Sequence, residues 1–251
     1  MFLLPGCAAV SAQEIQPLGS LEVSGRVRMS GKQVKLERKR FYLFRGGLEE
    51  NKALVERLKT TDFTSRDCYY HKMKASPQFS CWLKSGDCES PYCREITVED
   101  IAKVPEFQAA YQKGLKQFRR PELARQWLTT NLSLDLRSGF YLQERSVLGG
   151  LLGGQKPLQS SMTDVTSIKA LFIDIALNLS ETKKSETFLI SNLIPFEIGD
   201  KSYTWACQIE IFNAKRAVLP QLTVPENNKP VKNCEVIVKD LKTCSAESCP
   251  Q

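Results

Sequence analysis

The sequence predicts an α+β protein: an antiparallel β-sandwich of about seven strands interrupted by a helical, cysteine-rich insertion. Three observations carry this. Apolar and polar residues alternate with period two near both ends of the chain. Helical spacing and capping signals fill residues 46–133. Four of the nine cysteines crowd between Cys68 and Cys93, beside the single histidine, His71. The expected partition is a leader remnant at 1–12, a sandwich from 13–45 plus 134–243, the insertion at 46–133 and a C-terminal tail at 244–251.

Residues 1–12, MFLLPGCAAVSA, read as the end of a secretory signal peptide. Phe2-Leu3-Leu4 close an apolar core, Pro5-Gly6 break it, and Val10-Ser11-Ala12 offer small residues for cleavage. A second reading makes Leu4-Pro5-Gly6-Cys7 a lipoprotein site with Cys7 lipidated, which anchors the chain to lipid. Either way eight cysteines remain, an even number that suits a disulfide framework.

Strands are expected near 21–29 and 34–45. In the first, Leu21, Val23, Val27 and Met29 alternate with Glu22, Ser24, Arg26 and Arg28. The second changes phase near Arg38, which predicts a bulge or an end buried on both faces. Basic residues concentrate in this stretch. Arg26, Arg28, Lys35 and Lys39 form a candidate surface for an anionic partner such as lipid head groups, an envelope polymer or a protein. Solvated edge lysines that discourage aggregation explain the same pattern more simply.

Helices follow. Leu54, Val55 and Leu58 fit an amphipathic helix. Ser76-Pro77 is a start signal and Gly86 a stop. Thr97 to Asp100 reads as a capping box. Phe107, Tyr111, Leu115 and Phe118 share one helical face, and Pro121 opens another helix with Leu123, Trp127 and Leu132 inward.

The cysteine spacings C-x12-C, C-x6-C and C-x4-C miss the close ligand pairs of structural zinc sites. No C-x-x-C exists for thioredoxin-type chemistry. A lone histidine rules out multi-histidine metal sites. Cys68, Cys81, Cys88, Cys93, Cys207, Cys234, Cys244 and Cys249 are therefore disulfide candidates. Cys207 with Cys234 is the preferred pair, because both lie on apolar strand faces. Cys244 with Cys249 would make a local staple. No metal site and no cofactor are expected.

The remaining strands are expected near 139–146, 168–179, 186–198, 203–212 and 233–241, with the glycine-rich 148–155 as a loop. Leu171, Ile173, Ile175, Leu177 and Leu179 are expected on one face. Gly199-Asp200-Lys201-Ser202 marks the turn of a hairpin. Strand number and turn spacing resemble the small sandwiches of the transthyretin or carboxypeptidase-regulatory kind. That resemblance implies a fold and no site residues.

Composition is 42% hydrophobic and 25% charged, as for an ordinary globular domain, and no run approaches a membrane span. The lone histidine and the absence of a G-x-S-x-G elbow leave a serine hydrolase little support. The expected function is an exported, disulfide-stabilised binding or structural protein of the cell envelope or extracellular space. No catalytic residue is assigned, and nucleic acid is not an expected partner. The alternative is a secreted hydrolase using carboxylates where sandwich and insertion meet, with Glu89, Glu95, Glu99 and Asp100 near the cluster. A zinc-binding module is the weaker alternative.

Overall fold

A computed structural model describes residues 17–29, 32–213, 215–219, 221–225, 230–242, 244 and 249. The expected leader and Cys7 lie outside these residues. The fold is α+β, with seven α-helices and twelve strands among the described residues.

Strands β1 (Leu18–Ser24), β2 (Arg26–Met29), β3 (Lys32–Lys35) and β4 (Arg40–Arg45) come first. Helices α1 (Lys52–Thr60), α2 (Arg66–Lys72), α3 (Pro77–Ser85), α4 (Val98–Lys103), α5 (Pro105–Phe118), α6 (Pro121–Gln126) and α7 (Phe140–Leu152) follow. Strands β5 (Gln159–Met162), β6 (Lys169–Ala176), β7 (Ser185–Ser191), β8 (Phe196–Ile198), β9 (Lys201–Phe212), β10 (Arg216–Leu219), β11 (Leu222–Thr223) and β12 (Cys234–Asp240) complete the order. The chain divides into two compact units. One holds the residues up to Glu50, Pro157–Ile190 and Cys207–Asn233. The other holds Asn51–Lys156, Ser191–Ala206 and the residues from Cys234 on.

The first unit is built of strands. β1 lies between β10, parallel to it, and β6, antiparallel to it. β2 lies between parallel β11 and antiparallel β3. β7, β4 and β5 are successive neighbours, the last two antiparallel. The expected strands 21–29 and 34–45 are each split in two. Gly25 separates β1 from β2, where an added Cβ would meet Thr163 and Leu36. The phase change near Arg38 is a turn rather than a bulge. Arg38 has φ 55°, and Thr163 fastens the turn by bonding the Leu36 carbonyl and the Lys39 N–H.

β6 departs further from its period. Ala170 and Phe172 are buried, and so are Ile175 and Leu177, whereas Leu171 and Ile173 are 49% and 62% exposed. Asp174 has φ 53°, and the register with β1 gains one residue on β6 between Phe172 and Ile175. This bulge flips side-chain parity mid-strand. The expectation that Leu171 and Ile173 share a face with Ile175 is therefore corrected.

On β1, Glu22 is only 8% exposed. It is held by Lys169 at 2.9 Å and by the Arg216 guanidinium. The Lys169 hydrogen bond, with Arg216 beside it, keeps the carboxyl below its ordinary 4.5 despite burial. A depressed carboxyl stabilises the fold above the ordinary glutamate range, and that stability is lost as pH falls through the folded value. The Tm difference between wild type and Glu22→Gln should be widest near neutrality and close with acidification. A gap unchanged down to about pH 3 would contradict this linkage.

The second unit is mainly helical. Its core strings aromatic rings edge to face: Tyr70 on Phe79, Phe79 on Phe107, and Trp82 on Phe107 with centroids 4.9 Å apart. Local chemistry sets the helix ends as the sequence implies. The Ser76 hydroxyl accepts from the Phe79 N–H and Pro77 opens α3, which stops at Gly86. Thr97 and Asp100 form a capping box. α5 buries Phe107, Ala110 and Gly114, and Tyr111 packs at the margin. Leu132 is buried as expected, but Trp127 is 47% exposed.

Most of 139–146, expected as a strand, and the first part of the glycine-rich 148–155, expected as a loop, instead form the continuous helix α7 after a π-helical turn at Asp135–Gly139. Tertiary packing decides this. Phe140 sits against Tyr69, and the Arg57 Nε–H donates to the Leu151 carbonyl at 2.6 Å at the helix end. Gly153, at φ 54°, then terminates α7 in the left-handed conformation.

β8 and β9 form the expected hairpin, closed by Gly199-Asp200 between Ile198 and Lys201. Asn192, 1% exposed, locks its entrance. Its Nδ2 donates to the Ile194 and Tyr203 carbonyls at 2.7 and 3.0 Å. Its Oδ1 accepts from the Trp205 N–H at 2.8 Å.

Candidate functional site

All eight cysteines from Cys68 onward are disulfide-bonded. Within the helical unit the bonds are Cys68–Cys244, Cys81–Cys249 and Cys88–Cys93. The expected Cys244–Cys249 staple is thus corrected: each tail cysteine joins a helix, α2 or α3. Polar contacts explain the seating of the tail. The Ser65 hydroxyl donates to the Lys242 carbonyl at 2.9 Å, and the Cys244 N–H donates to Asp67 at 2.9 Å. Asp67 is itself paired with Lys84 at 2.7 Å. Sulfurs joined in pairs are not thiolate ligands, so the cluster does not offer zinc a site. Among the described residues no group of three His, Cys, Asp or Glu residues is placed to hold a metal ion. His71 is exposed on α2.

The short Cys88–Cys93 bridge shapes the loop that carries Pro91 and Tyr92. Arg66 donates to the Cys88 carbonyl at 2.7 Å, and the Tyr70 hydroxyl to the Glu89 carbonyl at 2.9 Å. The loop is therefore fastened from beneath by two buried side chains. Gly86 permits its close approach, since a Cβ there would press on the Cys88 sulfur and the Arg94 guanidinium.

This loop forms one wall of a groove of about 560 Å³. Tyr92, Arg94 and Glu95 stand on that wall. Glu122 and Arg125 stand on the other, at i and i+3 of α6, so one helical face presents both. The floor is apolar, from Ile96 and Leu128, both buried. Arg94 is held in place over the Trp82 ring, 4.3 Å from its centroid, and donates to the Ser85 hydroxyl at 3.3 Å. Two cations and two carboxylates thus share one groove, and none of the four forms an ion pair among the described residues. All four are exposed, as is Tyr92.

Of the acids near the cluster, only Glu95 lines this groove. Glu99 pairs with Lys103 along α4, and Asp100 caps it. Its partner in the groove, Glu122, was hidden in the sequence. An acid in the first turn after a proline reads as an ordinary helix-dipole residue. The available signal was the i, i+3 pair of opposite charges, Glu122 and Arg125, on a short exposed helix.

The candidate anionic-partner residues separate. Arg26, Arg28 and Lys35 stand on one face of the β2–β3 hairpin. Lys39 is only 7% exposed, beyond the Arg38 turn, and does not join that face. Of two Asn-X-Ser triplets, Asn178 is exposed, whereas the Asn131 side-chain nitrogen is buried.

No family model, curated protein or solved structure matches the chain.

Proposed function

We propose that the chain is an exported binding protein, stabilised by disulfides, whose ligand seat is the groove of the helical unit. The observation that carries this is the coexistence of Arg94, Arg125, Glu95 and Glu122 on its walls without mutual ion pairing. A groove with balanced charge over an apolar floor suits a short zwitterionic ligand. A peptide of two to four residues has a terminal carboxylate for arginine, a terminal ammonium for glutamate and a side chain for Ile96 and Leu128. Tyr92 adds an aromatic rim.

Export is supported by the four disulfides, which persist in oxidising compartments. Within this reading the compartment is the cell envelope or the extracellular space. Entry is through a leader at 1–12 or by lipidation of Cys7. Within this reading the strand-built unit is a sandwich of the transthyretin or carboxypeptidase-regulatory kind, which its antiparallel pairings support and its parallel pairings of β1 with β10 and β2 with β11 do not.

Calorimetric titration with a panel of di- to tetrapeptides tests the ligand seat. At least one peptide should bind, and Arg125→Ala and Glu122→Ala should each weaken it by about tenfold, the loss of one charged hydrogen bond. No binding across the panel, or unchanged binding by both variants, defeats the proposal.

Glu95 and Glu122 in one groove favour a second reading, a carboxylate-dependent hydrolase. Against it stands the exposure of both carboxylates to solvent on the groove walls. Turnover of an oligosaccharide that Glu95→Gln abolishes would replace the first reading with the second.

A further inference from the structure

The β2–β3 hairpin carries charge that its own sheet does not explain. From residue 26 to 45 there are eight basic residues against Glu37 alone, an excess equal to the +7 formal charge of the whole chain. The hairpin register sorts part of that excess onto one side. Arg26 faces Lys35 and Arg28 faces Gln33 across the strands, so these four share a face. Thr223 of β11 sits beside Arg28 on the same face. Val27 and Val34 lie on the opposite face, where Val27 is fully buried beside Leu222.

Edge protection is the simple explanation for charge on a strand, and it accounts for only part of this. β3 is the edge of its sheet, and lysines there discourage pairing with another chain. Arg26 and Arg28 are on β2, the central strand of that sheet, where no edge needs guarding. Like charges placed directly opposite, as Arg26 and Lys35 are, destabilise a strand pair. Among the described residues Arg26, Arg28 and Lys35 form no ion pair; Arg26 donates one long bond, 3.4 Å, to Gln33. The face therefore keeps three unneutralised cations side by side at a cost to the fold.

We infer that this face binds a linear acidic polysaccharide lying along the strands. Arg26 and Arg28 are two residues apart, about 7 Å along an extended strand. That row meets successive charged groups of an extended polymer. Their planar guanidinium forks bond carboxylate or sulfate oxygens in pairs. Gln33 and Thr223 add neutral groups suited to sugar hydroxyls. Among the described residues the face carries no apolar side chain to insert between lipids, which favours a polymer over a bilayer. The choice of polysaccharide over nucleic acid rests on the oxidising compartment of the proposed function. The site shares no residue with the groove and stands whether or not the groove binds peptide.

Dextran sulfate is the test probe, with neutral dextran, phosphatidylglycerol vesicles and duplex DNA as comparison arms. Wild type should bind dextran sulfate in a salt-sensitive manner, rise in Tm on binding, and ignore neutral dextran. Arg26→Gln/Arg28→Gln/Lys35→Gln should weaken binding by about tenfold or more at low salt and flatten its salt dependence. Lys72→Gln/Lys113→Gln/Lys116→Gln removes the same charge from exposed sites of the helical unit and should bind as wild type. Equal weakening of both triple variants, or tighter binding to the vesicles or DNA than to dextran sulfate, would overturn the inference.

Discussion

Removing both long-range disulfides of the helical unit should cost more than twice the removal of one. Cys68–Cys244 and Cys81–Cys249 span 176 and 168 residues. Closing one such loop in the unfolded chain contributes about 5 kcal/mol by the chain-entropy relation. Once one is closed, the other closes only a small remaining ring. That ring comprises the segments between Cys68 and Cys81 and between Cys244 and Cys249, and it contributes about 3 kcal/mol. Cys68→Ala/Cys244→Ala or Cys81→Ala/Cys249→Ala alone should therefore lower stability by about 3 kcal/mol, and the four together by about 8. Guanidinium unfolding of the three proteins measures this. Equal, additive losses would show that the two bridges constrain independent parts of the unfolded chain.

Asn192→Leu should be the most damaging single substitution in the β8–β9 region. Leucine keeps the branched outline, adds bulk and loses every hydrogen bond. The Trp205 N–H and the carbonyls of Ile194 and Tyr203 would each lose the bond they make to this side chain. Losing three hydrogen bonds at about 1 kcal/mol each costs about 3 kcal/mol. Asn178→Leu, at an exposed position, should change stability by about 0.5 kcal/mol or less. Urea unfolding of both variants tests the contrast, and a small loss for Asn192→Leu would mean that water replaces the side chain.

What the sequence made legible was local. Ser76-Pro77, Gly86 and Thr97 to Asp100 fix helix ends through their own side chains and backbone, so reading them needs no distant partner. The Gly199-Asp200 hairpin is of the same kind. The failures all involve residues far apart in the chain. The β6 parity flips because Asp174 adopts a positive φ within a strand paired to β1, and period-two counting has no signal for one inserted residue. α7 is fixed by Tyr69 and Arg57, more than sixty residues upstream of the contacts they make. The tail cysteines looked like a local pair because only four residues separate them, yet each reaches across most of the chain. The groove was equally hidden, since its two walls come from residues 91–96 and from α6 and the turn after it.

The tail bridges also impose an order on biosynthesis. A ribosome adding roughly 5–20 residues per second delivers Cys68 and Cys81 about 10–30 s before Cys244 and Cys249. Thiol oxidation takes seconds or longer, so Cys68 and Cys81 wait beside Cys88 and Cys93 while their true mates are still unmade. The five-residue Cys88–Cys93 ring withdraws two competitors early. Cys68 and Cys81 can still oxidise against one another, and such a pair must be reopened when the last cysteines arrive. Maturation of this protein should therefore depend on a disulfide isomerase as well as on the oxidase that makes its bonds.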